Sequence, residues 1–100
     1  MLVIVWEYVV KPDRIEDFES FYRADGDWAE LFRGDPGFVS TTLMRDLRDP
    51  HRYMVADRWT DEALYEEFKR THAAEYDALD RRCRRMLERE TELGRFDFLH

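Results

Sequence analysis

The chain has 100 residues, 44% of them hydrophobic and 39% charged, with a formal net charge of −7. This is the composition of one globular domain, residues 1–100, with an acidic balance that argues against nucleic acid and against an anionic membrane surface as partners. A single cysteine leaves no internal disulfide and no Cys-rich metal site, which makes a reducing cytoplasm the default, and no apolar run approaches the about 20 residues of a membrane span.

Met1–Val10 opens the chain as a strand that is apolar on both faces. Leu2, Ile4, Trp6 and Tyr8 point one way, and Val3, Val5, Glu7 and Val9 the other. It is not a secretory leader, because it lacks a basic start and Glu7 and Lys11 interrupt the apolar run. Lys11-Pro12-Asp13 ends the strand, and Pro12 suits the first turn of a helix. Ile15, Phe18 and Tyr22 recur at helical spacing, and Ala24-Asp25-Gly26 breaks that helix. Asp27 with Glu30 reads as a capping box for a second segment whose apolar face is Trp28, Leu31 and Phe32.

Gly34-Asp35-Pro36-Gly37 is a turn signal. Phe38–Arg45 and Arg52–Trp59 then read as an antiparallel hairpin across the polar turn 46–51. In the second of these strands Tyr53, Val55, Asp57 and Trp59 alternate with Met54, Ala56 and Arg58. Thr60-Asp61 starts a short helix over Ala63–Arg70. Thr71 is placed to cap a longer one, whose stripe runs through His72, Tyr76, Leu79, Cys83 and Met86. Glu92–Leu99 reads as the last strand, with Gly94 at a bulge.

The order is β-α-β-β-α-β, which predicts an α+β, ferredoxin-like domain: a four-stranded antiparallel sheet with its helices on one face. The other face is left open, and because the first strand has no polar side, that open face is apolar. It predicts a homodimer with the two sheets face to face.

The strand order, the turn Asp35-Pro36-Gly37-Phe38, and the run from Trp59 through Thr60-Asp61-Glu62-Ala63-Leu64 to His72 resemble the antibiotic biosynthesis monooxygenase family. The resemblance spans nearly the whole chain. It implies a dimeric α/β barrel with a pocket in each subunit between the sheet and the helices. It also implies an oxygenase acting on a small aromatic or quinol-like molecule without metal or flavin. A haem-degrading branch is disfavoured: its strand-one Asn corresponds to Glu7, and no His stands near Glu75 or Tyr76, where its iron ligand would be.

Two catalytic candidates follow. Glu7 would be a general base if its face lies under the helices, since desolvation raises a carboxylate's pKa; the competing reading is an ion pair with an arginine such as Arg45 or Arg58. His72, matching the family's His, would orient substrate or relay a proton, or else bond locally at a helix start. Tyr22, Trp28, Phe32, Trp59, Phe68 and Tyr76 are the candidate walls of a flat aromatic cleft, or simply core.

Other chemistry finds no motif. The three histidines lack metal-ligand spacing, and there is no phosphate loop and no nucleophile elbow. Arg81-Arg82-Cys83-Arg84-Arg85 falls in the second half of a helix, where cations favour the dipole, and reads as a solvated or interface face around a core thiol. The same scaffold also suits a non-enzymatic small-ligand-binding dimer, or an isomerase that needs only a base and a pocket.

Overall fold

A computed structural model describes residues 1–99. His100, one of the three histidines considered above, lies outside the described residues. The strands are β1 (Leu2–Val10), β2 (Phe38–Arg45), β3 (Arg52–Trp59) and β4 (Leu87–Asp97). The helices are α1 (Ile15–Tyr22), α2 (Asp27–Arg33), α3 (Glu62–Thr71) and α4 (Ala73–Arg84), and a 3-10 turn over Pro12–Arg14 precedes α1. All strand pairs are antiparallel, in the order β2-β3-β1-β4, the ferredoxin-like arrangement.

The burial pattern of β3 decides which sheet face is covered. Tyr53, Val55, Asp57 and Trp59 are buried, and the residues between them only half-buried. β1 pairs with β3 so that Ile4 faces Asp57 and Tyr8 faces Tyr53, which puts Leu2, Ile4, Tyr8 and Val10 on the same covered side. There they meet Phe18 and Tyr22 of α1, Trp28 and Phe32 of α2, Tyr65 and Phe68 of α3, and Leu79 and Cys83 of α4. The core is largely aromatic. Trp59, fully buried, has the rings of Phe32, Phe38, Tyr65 and Phe68 at centroid distances of 5.3–5.5 Å. Such contacts add to the transfer energy of burying each ring.

Most local signals act as the sequence predicts. The Asp61 carboxylate caps α3 by accepting from the Leu64 N–H at 2.8 Å. Pro12 sits in the first turn after β1. Three expectations are corrected. Asp27 lies inside α2, and Gly26 is its N-cap without any side-chain bond. Ideal Cβ placement at Gly26 would fall 2.6 Å from the Ser20 and Phe21 carbonyl oxygens, so close packing against α1 selects glycine there and displaces the capping box. Thr71 caps nothing; its hydroxyl donates back to the Glu67 carbonyl at 3.0 Å, and His72 stands between the two helices.

The third correction is the last strand, which starts five residues earlier than Glu92. Leu87–Glu92 is dominated by charge and lacks strand alternation, yet the nine-residue β1 offers hydrogen bonds along its whole length. Val10 pairs with Leu87 and Tyr8 with Glu90. Two register shifts accommodate this, one leaving Leu93 extra beside Gly94 and one leaving Glu88 extra.

Candidate functional site

Between the covered sheet face and the helices lies a cavity whose floor is Trp6 and Tyr8 of β1, Thr41 of β2, Val55 and Asp57 of β3, and Glu90 of β4. Its roof is Tyr22, Trp28, Phe32, Tyr65, Tyr76 and Asp80. The space between these side chains totals about 400 Å³ and opens in part to solvent, but it is narrow: about 20 Å³ is wide enough for the centre of a water molecule.

Asp57 is the chemical centre of this space. It is 8% exposed, and its Oδ1 accepts the Thr41 hydroxyl proton at 2.6 Å. Burial pushes its carboxyl up to about 6, against the opposing pull of the Thr41 hydroxyl and the Trp6 indole. No ion pair with a described residue reaches it. A carboxylate poised there is ionised at neutral pH and strongly basic for its type, as a general base requires.

Around it stand phenols held neutral. Burial raises Tyr22 and Tyr65 far above the ordinary phenol range and Tyr76 to about 12. The Tyr65 and Tyr76 hydroxyls lie against each other, each shifting the other. The Trp28 indole N–H, buried, has no hydrogen-bond partner among the described residues, though it lies beside the Tyr22 hydroxyl and the Cys83 thiol. Burial lifts that thiol to about 11, so Cys83 is not a nucleophile at neutral pH.

Glu7 does not enter the cavity. It lies opposite Met54, on the face away from the helices. Arg52 Nε donates to its Oε2 at 2.7 Å and Arg89 Nη2 reaches its Oε1 at 3.4 Å, while Arg52 also holds Asp46 at 2.9 Å. The Arg52 hydrogen bond, outweighing the desolvation of the carboxylate, brings the Glu7 pKa below its ordinary value. The condition for a raised-pKa base is therefore not met. The ion-pair alternative describes the site, with different arginines from those expected: Arg45 reaches Glu19, and Arg58 lies 5.1 Å from the Phe98 ring centroid.

His72 is exposed, its ring stacked on Phe68 at 4.6 Å and its Nδ1 3.0 Å from the Thr71 hydroxyl, outside the cavity. Of the six expected wall residues, Tyr22, Trp28, Phe32 and Tyr76 line the cavity; Trp59 and Phe68 are core behind it. The Trp59 indole N–H is buried and unpartnered among the described residues. At the positions of a haem-degrading relative's iron ligand, Glu75 is exposed and Tyr76 lines the cavity. Among the described residues no three His, Cys, Asp or Glu side chains are grouped to hold a metal ion.

Residues 1–79 match the sequence profile of the family described as antibiotic biosynthesis monooxygenase. The chain belongs to the antibiotic biosynthesis monooxygenase family. No curated protein is significantly similar to it in sequence. Among solved structures, one named antibiotic biosynthesis monooxygenase is 21% identical, with all of both chains covered and a TM-score of 0.76. A variant of SnoaB, a cofactor-independent oxygenase from Streptomyces nogalater, is 20% identical, covering 99% of this chain and 93% of that one, with a TM-score of 0.76. PA3566 from Pseudomonas aeruginosa is 18% identical, covering 99% of this chain and 94% of that one, with a TM-score of 0.71. At these identities the structures share its fold. No helix among the described residues is long and apolar enough to cross a membrane.

Asp57, Thr41 and Glu90 were not singled out from the sequence. The signal for Asp57 was present: one acid within the apolar set Tyr53, Val55, Asp57 and Trp59, the same pattern that drew attention to Glu7.

Proposed function

We propose that this family member is a monooxygenase that oxidises a small aromatic, quinol-like molecule without metal or flavin, in the cavity between sheet and helices. The observation that carries this reading is Asp57, a buried carboxylate with a pKa near 6 in an aromatic-walled cavity. Asp57 takes a proton from the substrate's phenol or activated CH2, leaving an electron-rich anion. The anion passes an electron to dioxygen, and the resulting radical pair joins to form a C–O bond, giving a peroxide. The O–O bond then breaks, a second C–H proton leaves, and the carbon becomes a ketone while the other oxygen departs as water with the proton held by Asp57. The substrate supplies all four electrons, so no external reductant enters the balance. The neutral hydroxyls of Tyr65 and Tyr76 are the donors available to the developing oxyanion.

The protein acts as a homodimer in this reading, in the cytoplasm, where its single cysteine stays reduced. Its open sheet face carries half-buried Val3, Val5, Val9, Met54 and Ala56 with exposed Met44 and Phe96, an apolar surface that a second copy would cover. A ring of substrate size enters by displacing side chains at the mouth, among which Trp6 is only half-buried.

Oxygen uptake by the purified protein with a panel of hydroquinones, naphthols and anthrones tests this. Uptake with one of them, falling about 10²- to 10⁴-fold in Asp57→Asn, is the expected result. Uptake undiminished in Asp57→Asn removes the assigned base. Ligand binding without uptake across the panel returns the second reading, a non-enzymatic ligand-binding dimer.

A further inference from the structure

We propose that the cavity selects an aromatic substrate that carries a protonated amine. This rests on the reading that the cavity is the substrate site, and extends it to the charge of the ligand. Three carboxyl groups line the cavity, Asp57, Asp80 and Glu90, and no Lys, Arg or His among the described residues does. The nearest cations rest against wall residues without lining the cavity themselves. Arg84 holds Asp80 at 2.7 Å, Lys69 rests 5.3 Å from the Tyr76 ring centroid, and Arg95 rests 5.3 Å from that of Tyr65. Asp80 is thereby partly neutralised, while Asp57 and Glu90 are not paired with any described cation.

Two independent features point to the same missing charge. Asp57 is more than nine-tenths buried and faces the cavity, with a hydroxyl and an indole as neighbours and no counter-cation. Buried carboxylates are ordinarily paired with a cation, because a neutral hydrogen bond offsets only part of the desolvation. The walls of the same space include Trp6, Tyr8, Tyr22 and Trp28, rings whose faces attract ammonium groups. An ammonium on the ligand satisfies both.

The chemistry has the same requirement. The anion formed by proton removal meets no Lys, Arg or His among the described lining residues, and Glu90 opposes it, with Asp80 opposing it less because Arg84 holds it. A positive charge built into the substrate offsets that anion, while its pairing with Asp57 lowers the basicity of that carboxylate. An anionic substrate meets repulsion at every step.

Three phenols separate the possibilities: tyramine, which is cationic; 4-propylphenol, its neutral isostere; and 3-(4-hydroxyphenyl)propanoate, which is anionic. Calorimetric titration of the full chain at neutral pH under nitrogen measures binding without oxidation. Tyramine is expected to bind at least about tenfold tighter than 4-propylphenol, with the anion weakest. Asp57→Asn, close to isosteric, should remove most of the tyramine preference over 4-propylphenol. Glu90→Gln, at an exposed position that folding tolerates, should reduce the preference by about two- to threefold. Equal affinities, the reverse order, or no binding of any of the three at millimolar concentration overturns the proposal. Because nothing is oxidised in this titration, a neutral-first order with oxygen uptake intact overturns the charge assignment alone. A cation-first order without oxygen uptake on any substrate overturns the oxygenase reading alone.

Discussion

Glu7 and Asp57 are acids on adjacent strands of one sheet, each flanked by apolar neighbours in its own side-chain set, and they have opposite fates. Glu7, on the open face, is held by Arg52 and Arg89 and titrates below its ordinary value. Asp57, on the covered face, has only a hydroxyl and an indole beside it and is pushed up to about 6. Residue type and strand environment are nearly the same. Face and partner make the difference: among the described residues an arginine lies within reach of one carboxylate and not of the other. An acid held by arginines and one without a described counter-cation are separated here by the thickness of a single sheet.

The largest effect that divides the two faces is packing. Trp59→Ala should destabilise the fold by about 3–5 kcal/mol in urea denaturation, because the covered face closes around that ring. Phe96→Ala, at a side chain 53% exposed on the open face, should change monomer stability by less than about 1 kcal/mol and appear instead in the dimer dissociation constant. A Phe96 loss as large as that of Trp59 would erase the distinction between a core and an association surface.

Next comes the pH dependence of stability, where the two acids should give opposite signs. Asp57 has a folded pKa of about 6 against an ordinary 3.8, so the native state binds the extra proton between those values. Stability therefore falls as pH rises from about 4 to about 6, and the full penalty, about 3 kcal/mol, is present above pH 6. Asp57→Asn should remove that fall, leaving the variant more stable than wild type at pH 7 although inactive. Glu7 has a depressed folded pKa, so its contribution is present above the unfolded value of 4.5 and is lost as pH falls through the folded one. Glu7→Gln should flatten the acid limb and weaken the protein at neutral pH. Thermal unfolding from pH 3 to pH 8 reads both; curves of the same sign would contradict the contrast.

The smallest effect sharpens the site itself. Thr41→Val keeps the shape and removes the hydroxyl that stabilises the charged form of Asp57. The Asp57 midpoint, followed by carboxyl carbon NMR, should move up by roughly one pH unit. The pH at which kcat/KM reaches its plateau should move with it. A midpoint that stays in place would mean that the carboxylate draws its stabilisation from Trp6 or from solvent.

The fold was legible where chemistry is local. Alternation marks β1 and β3, Asp61 marks the start of α3, and the polar turn 46–51 marks the hairpin. The start of β4 was not legible, because Leu87–Glu92 is recruited by a long neighbour and not by its own propensity, a tertiary effect. The site was half legible. Four of six aromatic wall residues line the cavity, since rings on helices mostly face the sheet. That Glu7 faces away from the cavity was not legible, because β1, apolar on both sides, does not reveal which side is covered. β3 does: its heavier set, Tyr53, Val55 and Trp59, belongs under the helices, and Asp57 goes with it. His72 drew attention through a family position, and nothing in its local sequence marks it as exposed.

The bulge at Leu93 also bears on how this cavity can change over generations. Below it, Glu92 and Glu90 face the covered side opposite Trp6 and Tyr8; above it, the odd-numbered Arg95 and Asp97 do so. Losing the codon for Leu93 would heal the bulge and leave the ladder as it is, because Gly94 and Glu92 already face the consecutive residues Val5 and Trp6 of β1. This edge strand can thus lose one residue at the bulge while Glu90 and every other wall residue keep their places, so the length of β4 can vary there without changing the charge of the cavity.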